Sequence, residues 1–372
     1  MNVNPTCNQQ RTSDLMVFCT IVTLLIVIGL IFIYSSSSVF ALEKFGTSLY
    51  FVKKQLMGLL VGLGAFALAR YFPLQRIKQY APIFYILSLL LTALTLLPHF
   101  GIRIHGSSRW ISLAGFAFQP SELLKITLIL YVSFLITKKC HVVSHFWQRF
   151  VPITLILALA SLVLLQQPDF GLTVTLMVTC VIIFFIAQYQ MRYLTWSIAA
   201  AVPAVALLIV TSPYRVRRVL TFLNPWSDPQ GSGFQIIQSL IAIGSGGAWG
   251  SGIAHSKQKF FYLPMQHTDF IFSIIAEEIG FVGSCIIIFA FMALLFFGIR
   301  LALKMKDPFC TYATLGFIIM MNIQTLINIA VATGLAPTKG IGLPFVSYGN
   351  TSLVGYLIII GLIVNMTKNS GK

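Results

Sequence analysis

Runs of about 20 apolar residues recur along almost the whole chain, and each is long enough to cross a hydrocarbon core of roughly 30 Å. They fall at 15–34, 51–69, 80–97, 122–136, 151–165, 170–187, 194–211, 269–303, 310–334 and 345–365. Inside lipid no water can satisfy backbone N–H and C=O groups, so each run has to be a helix. The sequence therefore predicts an all-α polytopic membrane protein with ten transmembrane helices. Composition excludes a soluble fold: only 9% of the 372 residues are charged, against about 25% in soluble domains. The expected plan is a polar, unordered cytoplasmic tail at 1–14, one ten-helix membrane domain at 15–366 and a cytoplasmic tail at 367–372. The first run is longer than the roughly 7–15-residue core of a signal peptide, so it reads as an uncleaved anchor.

Charge sets orientation and partner class. The formal net charge is +16, carried by lysines and arginines at span ends and in loops. That placement points to membrane lipids, through their phosphate and diphosphate headgroups, and away from nucleic acid. With the N-terminus inside, thirteen Lys and Arg lie inside and eleven outside. The rule is weak for long loops, and leaving out the five in 212–268 makes it thirteen against six, which places both termini in the cytoplasm. The six cysteines show no paired spacing and read as small packing residues, and no Cys/His cluster has metal-site spacing.

On this topology the segments 99–119, 212–268 and 335–344 gather on the outer face. The long outer loop 212–268 exceeds an idle connection and is expected to hold short interfacial helices. In 235–243, Ile236, Ile237, Leu240 and Ile241 form an apolar stripe opposite Gln235, Gln238 and Ser239, and Gly244-Ser245-Gly246-Gly247 ends the helix. Gly58 and Gly62 form a small-xxx-small pair suited to close helix packing.

The chain has nine acidic residues, and three of them, Asp269, Glu277 and Glu278, lie where the eighth span begins. Ionisable groups at the membrane are functional candidates. Around a helix Glu277 lies about 80° from Asp269 and Glu278 about 180°. Glu277 is thus the expected companion of Asp269, and Glu278 should pack on another helix or cap a break near Gly280. A second cluster opens the fourth span. Pro120 suits the first helical position and Glu122 the first turn, where an acid complements the helix dipole. Lys125, at i+3 from Glu122 and i+4 from Ser121, shares their face. It needs a carboxylate, which Glu122 or Asp269 could supply.

Asp269 has several readings: a structural ion pair with Lys125, a neutral acid, a bridging metal ligand, or a general base taking a proton from a hydroxyl nucleophile. Arg109, Arg215, Arg218, Lys257 and Lys259 are candidates to hold an anionic leaving group, or else plain snorkelling residues. His267 either orients the carboxylate or is structural.

The same residues carry a resemblance. His105-Gly106-Ser107-Ser108-Arg109-Trp110-Ile111, Gln119 to Lys125, Tyr214 to Ser239, Gly244 to Gly247, Lys257 to Pro264, His267 to Phe272, Glu277-Glu278 and Gly340 to Gly349 resemble, in order, the signature of the SEDS family of membrane proteins (FtsW, RodA and SpoVE). Ser256 to Pro264 and Leu343 to Ser347 look closest to the division and sporulation branches, with the FtsW branch favoured. The resemblance implies ten transmembrane helices and a peptidoglycan glycosyltransferase acting on lipid II. It also implies a class B penicillin-binding protein and other division proteins as partners, a divalent cation (Mg2+ or Mn2+), and a place in the bacterial inner membrane at the division septum. The family's essential aspartate maps onto Asp269 and the lysine paired with it onto Lys125. The chain departs from the family pattern in having Met265 for Glu, Gly342 for Pro, Asn350 for Gly and Ala336 for Leu. Two rival functions fit the same residues: a lipid II flippase, and a structural activator of the transpeptidase.

Overall fold

The computed structural model describes residues 5–98, 100–104, 107–113, 116–138, 151–188, 191–258 and 266–370. Each of the ten expected spans falls on a helix. These are α1 (Pro5–Phe45), α2 (Tyr50–Tyr71), α3 (Leu74–Leu94), α4 (Ser121–Lys138), α5 (Val151–Gln166), α6 (Phe170–Ile186), α7 (Met191–Val210), α10 (Ile271–Leu303), α11 (Pro308–Ala332) and α12 (Asn350–Asn369). The long loop adds α8 (Pro213–Leu223), a 3-10 turn (Pro225–Ser227) and α9 (Phe234–Ser245). Among the described residues six helices, α1, α2, α3, α10, α11 and α12, are long and apolar enough to cross a membrane, and α5 and α6 are apolar but shorter.

Burial explains which helices sit inside. Twelve residues of α4 are buried, on every face, and α11 is buried along most of its length. A helix apolar all round belongs in the interior. α1 and α2 instead present rows of exposed Leu, Val and Ile, as lipid-facing helices do. The predicted Gly58 and Gly62 pair lies on the α2–α12 seam: a Cβ on Gly62 would stand 2.5 Å from Leu357, and one on Gly58 3.2 Å from the Asn350 backbone. Glycine lets the two backbones approach this closely.

Three features differ from expectation. First, most of 1–14 is not an unordered tail, because α1 begins at Pro5. Polar contacts hold it: Lys304, just past the end of α10, and Arg300 within it reach the Asp14 carboxylate at 2.7 and 3.3 Å, and Arg11 donates to Ser370. Second, a small antiparallel sheet, β1 (Gly101–Ile104), β2 (Ser107–Leu113) and β3 (Phe116–Phe118), lies between α3 and α4. Two residues lie between consecutive strands in the sequence. Third, α9 is rotated from the predicted stripe: Ile236, Ile237, Ser239 and Ala242 face inward, while Leu240 and Ile241 are exposed. Ser239 goes inward because its hydroxyl is satisfied there, donating to the Ala332 carbonyl and bonding Ser273.

α10 is broken at Gly280, whose φ is +67°. The glycine-rich stretch after α9 supplies the missing partners. Ser251 and Gly252 donate to the carbonyls of Glu277 and Glu278, and Phe281 and Val282 donate to those of Gly247 and Ala248. A side chain at Gly250 or Gly280 would strike the opposing backbone. The long loop is thus pinned to the helix that follows Asp269.

Candidate active site

The segments 101–118, 212–258 and 335–349 converge at one end of the bundle. Thr351 donates to the Ala117 carbonyl, Arg218 to the Thr338 carbonyl at 2.8 Å, and Ser347 to the Thr268 carbonyl at 2.6 Å. Asp269 sits at this end, in the turn that leads into α10. Its backbone is fixed by Asn328 of α11, which donates to its carbonyl at 2.8 Å, and the preceding His267 carbonyl accepts from the Tyr348 amide. A Cβ built on Gly340 would lie 3.5 Å from the Asp269 carboxylate, so that oxygen borders the 335–349 loop without a side chain between them.

Burial pushes the Asp269 carboxyl up to about 7, against the pull of Arg218 and then Arg109, with Asp169 adding to the rise. As a residue Asp269 keeps part of its surface exposed. A carboxylate poised near neutrality with two guanidiniums in range can accept a proton near physiological pH.

Arg109 on β2 is held by the α5–α6 connection: it donates to the Gln167 and Pro168 carbonyls and lies 3.7 Å from the Asp169 carboxylate. Asp169 also caps α6 by accepting from the Leu172 amide. Arg215 donates to the Leu208 carbonyl at the end of α7 and lies over the Phe170 ring. Arg218 stacks on Tyr214 while holding Thr338.

Lys125 is fully buried, and its Nζ lies 2.5 Å from Glu122 Oε2 and 4.2 Å above the Tyr356 ring. The two are close as an ion pair, although their angle is not that of a hydrogen bond. The ion pair of Lys125 with Asp269 expected from the resemblance is therefore not the one formed. A carboxylate one turn away on the same helix meets the lysine first. Ser121 is buried beside them and accepts from Gln119.

His267 does not orient Asp269. It is buried among Phe51, Phe40 and Tyr348, with ring centroids 4.4, 6.1 and 5.6 Å away, and burial lowers it to about 4, so it is neutral. Glu277 is occupied by the long loop, accepting from the Ser256 hydroxyl and from the Lys257 amide at 2.7 Å. Glu278 accepts from Ser35 of α1 and its backbone carbonyl takes the Gly252 amide at the break, as its helical position predicted. The Lys257 side chain is exposed. Lys259 and Met265 lie outside the described residues.

Sequence reasoning missed Asp169, Asn328 and Lys339. The scarcity of acids could have singled out Asp169, one of only nine. No sequence signal marks Asn328, a polar residue in an apolar helix whose partners are distant in the chain. Among the described residues no three His, Cys, Asp or Glu come together.

Known proteins share this sequence and fold over nearly the whole chain. The family profile described as "Cell cycle protein", covering FtsW, RodA and SpoVE, matches residues 15–372. The chain is 40% identical over 367 residues to a probable peptidoglycan glycosyltransferase FtsW of Geobacter sulfurreducens, covering 99% of this chain and 98% of that one. It is 38% identical over 361 residues to the stage V sporulation protein E of Bacillus subtilis, covering 97% and 99%. Among solved structures, a subunit of a peptidoglycan synthase complex that coordinates polymerization and crosslinking superposes with a TM-score of 0.77 at 30% identity, over 95% of this chain and 97% of that one. The rod shape determining protein RodA of Thermus thermophilus superposes with a TM-score of 0.72 at 26% identity, with the same coverage. With matches of this extent in sequence and in fold, the chain belongs to the FtsW, RodA and SpoVE family of membrane proteins.

Proposed function

We propose that the protein is a peptidoglycan glycosyltransferase that polymerises lipid II, with Asp269 as general base. The observation that carries the reading is the Asp269 carboxyl, raised to about 7 by burial against the opposing pull of the Arg218 and Arg109 charges. Asp269 takes the proton from the 4-hydroxyl of an acceptor GlcNAc. The freed oxygen attacks the anomeric carbon of the donor MurNAc, the bond to the diphosphate oxygen breaks, and undecaprenyl diphosphate leaves with that electron pair. Attack from the far face inverts α to β. Guanidiniums near the leaving oxygen favour the transition state, where negative charge grows. Glu122 and Lys125 are assigned to the substrate side of this base, one turn into α4.

The partner is a class B penicillin-binding protein, a reading supported by the likeness to a subunit of a synthase complex. The setting is the bacterial inner membrane at the division septum, with both termini in the cytoplasm, a reading supported by the Lys and Arg bias of the short loops. Any Mg2+ or Mn2+ requirement is assigned to ions that arrive with the substrate diphosphate, since such ions are commonly held by substrate phosphates and only one or two carboxylates.

The test is glycan-ladder formation from labelled lipid II by the purified pair of proteins. Asp269→Asn should abolish polymer while the partner still co-purifies. Full activity in that variant would overturn the general-base role. Movement of lipid II across proteoliposomes without any polymer would favour a flippase instead.

A further inference from the structure

Two cations share one aromatic ring, and one of them, Lys339, is the chain neighbour of the Gly340 that borders Asp269. Lys339 Nζ lies 5.2 Å and Arg215 Cζ 5.9 Å from the centroid of Phe170, the first residue of α6. The stem of Lys339 runs along that first turn, since a Cβ on Gly171 would meet Lys339 Cβ at 3.7 Å. Among the described residues neither cation has a carboxylate within ion-pair distance. Arg109, by contrast, is the cation that takes the nearby Asp169. Lys339 is half-buried, and that burial lowers its pKa.

Like charges gathered on a partly desolvated surface repel each other, and an aromatic face offsets this only in part. Such an arrangement is complete only when an anion joins it. The position is also built with care. Arg218 fixes the Thr338 carbonyl, Asn328 fixes the Ile341 carbonyl, and Lys339 and Gly340 lie between those two ties. Gly340 faces the Asp269 carboxylate, so the residue bearing the cation adjoins the one that borders the proposed base.

We propose that Lys339 and Arg215, gathered on Phe170, seat the diphosphate of the donor lipid, which makes this the leaving-group side of the site. The proposal rests on the polymerase reading and adds to it a donor-side assignment and a residue, Lys339. When the sugar–oxygen bond breaks, the electron pair stays on the diphosphate, and the two cations hold the added charge.

The test uses the purified complex with its transpeptidase partner and a fluorescent farnesyl diphosphate as probe. Lys339→Gln should weaken probe binding and raise the KM for lipid II by about tenfold or more, the usual cost of losing one charge-assisted contact. Lys339→Arg should restore most of both, and Phe170→Leu should fall between. A farnesyl monophosphate probe should bind weakly to every variant. Unchanged diphosphate binding in Lys339→Gln overturns the proposal. So does an equal loss of binding to phosphatidylglycerol vesicles, which would make the cluster a general anionic-lipid contact. Asp269→Asn separates the two levels: it should bind the probe normally and make no polymer. If it polymerises, the general-base reading fails while the probe still decides the diphosphate seat.

Discussion

Asn328 holds Asp269 by its backbone. One side-chain amide donates to the Asp269 carbonyl at 2.8 Å and to the Ile341 carbonyl at 2.7 Å, so α11 ties the base to the loop that faces it. Asn328→Leu keeps the volume and removes both bonds. Leaving buried carbonyls unpaired should cost about 1–3 kcal/mol of stability. If the tie also positions the base, kcat should fall while the KM for lipid II changes little. Thermal unfolding and steady-state polymerisation measure the two effects. A lowered Tm with unchanged kcat would reduce the tie to a structural role.

Much of this was legible in the sequence, for stated reasons. The helices follow from run length, because lipid leaves the backbone no alternative. Glu278 and the break at Gly280 follow from helical angles, and the Gly58–Gly62 seam from spacing. The Lys125 pairing was open, since distance along one helix and distance across a fold compete and only coordinates decide. The inward turn of Ser239 was hidden because a serine can be buried when its hydroxyl finds a partner, here from two other helices. α8 is one of the short helices expected in the long loop.

Activity should follow the titration of Asp269. The base works as a carboxylate, so kcat/KM should rise with pH through about 7 and level off above it. Arg218 lowers that pKa, so Arg218→Gln should move the acidic limb to higher pH; Asp169 raises it, so Asp169→Asn should move the limb lower. Stability has the opposite sign. A folded pKa above the unfolded one means the charged form is disfavoured by folding, with no cost below the ordinary carboxylate range and the full cost above about 7. Asp269→Asn should therefore unfold at a higher temperature than the parent at pH 8, with the gap closing near pH 4. A pH–rate profile that stays flat from pH 5 to 9 would contradict the assignment.

The break in α10 should tolerate no side chain. At Gly280 the φ is +67° and a Cβ would stand 2.4 Å from the Gly250 nitrogen. With ψ at −166° this is a backbone region open essentially to glycine alone, costing another residue about 1–3 kcal/mol, and the clash is with backbone that cannot turn away. Gly280→Ala should lower yield and Tm sharply, with the 246–252 stretch becoming accessible to protease. Gly244→Ala is the control, because nothing lies within 4 Å of a Cβ there. Equal behaviour of the two variants would mean that the loop does not dock on the break.

Glu122 and Lys125 can be separated into structure and chemistry by a double-mutant cycle. Lys125 is fully buried against Glu122 at 2.5 Å, so Lys125→Met strands a carboxylate and should cost about 3–5 kcal/mol. Glu122→Gln strands the ammonium and should cost a similar amount. The double variant removes both charges, and its loss of stability should be well below the sum of the two single losses. Activity then discriminates. If the pair only holds α4 together, the double variant should recover polymerisation along with its fold. If Lys125 acts on the substrate as proposed, the double variant should fold, bind its partner and make no glycan.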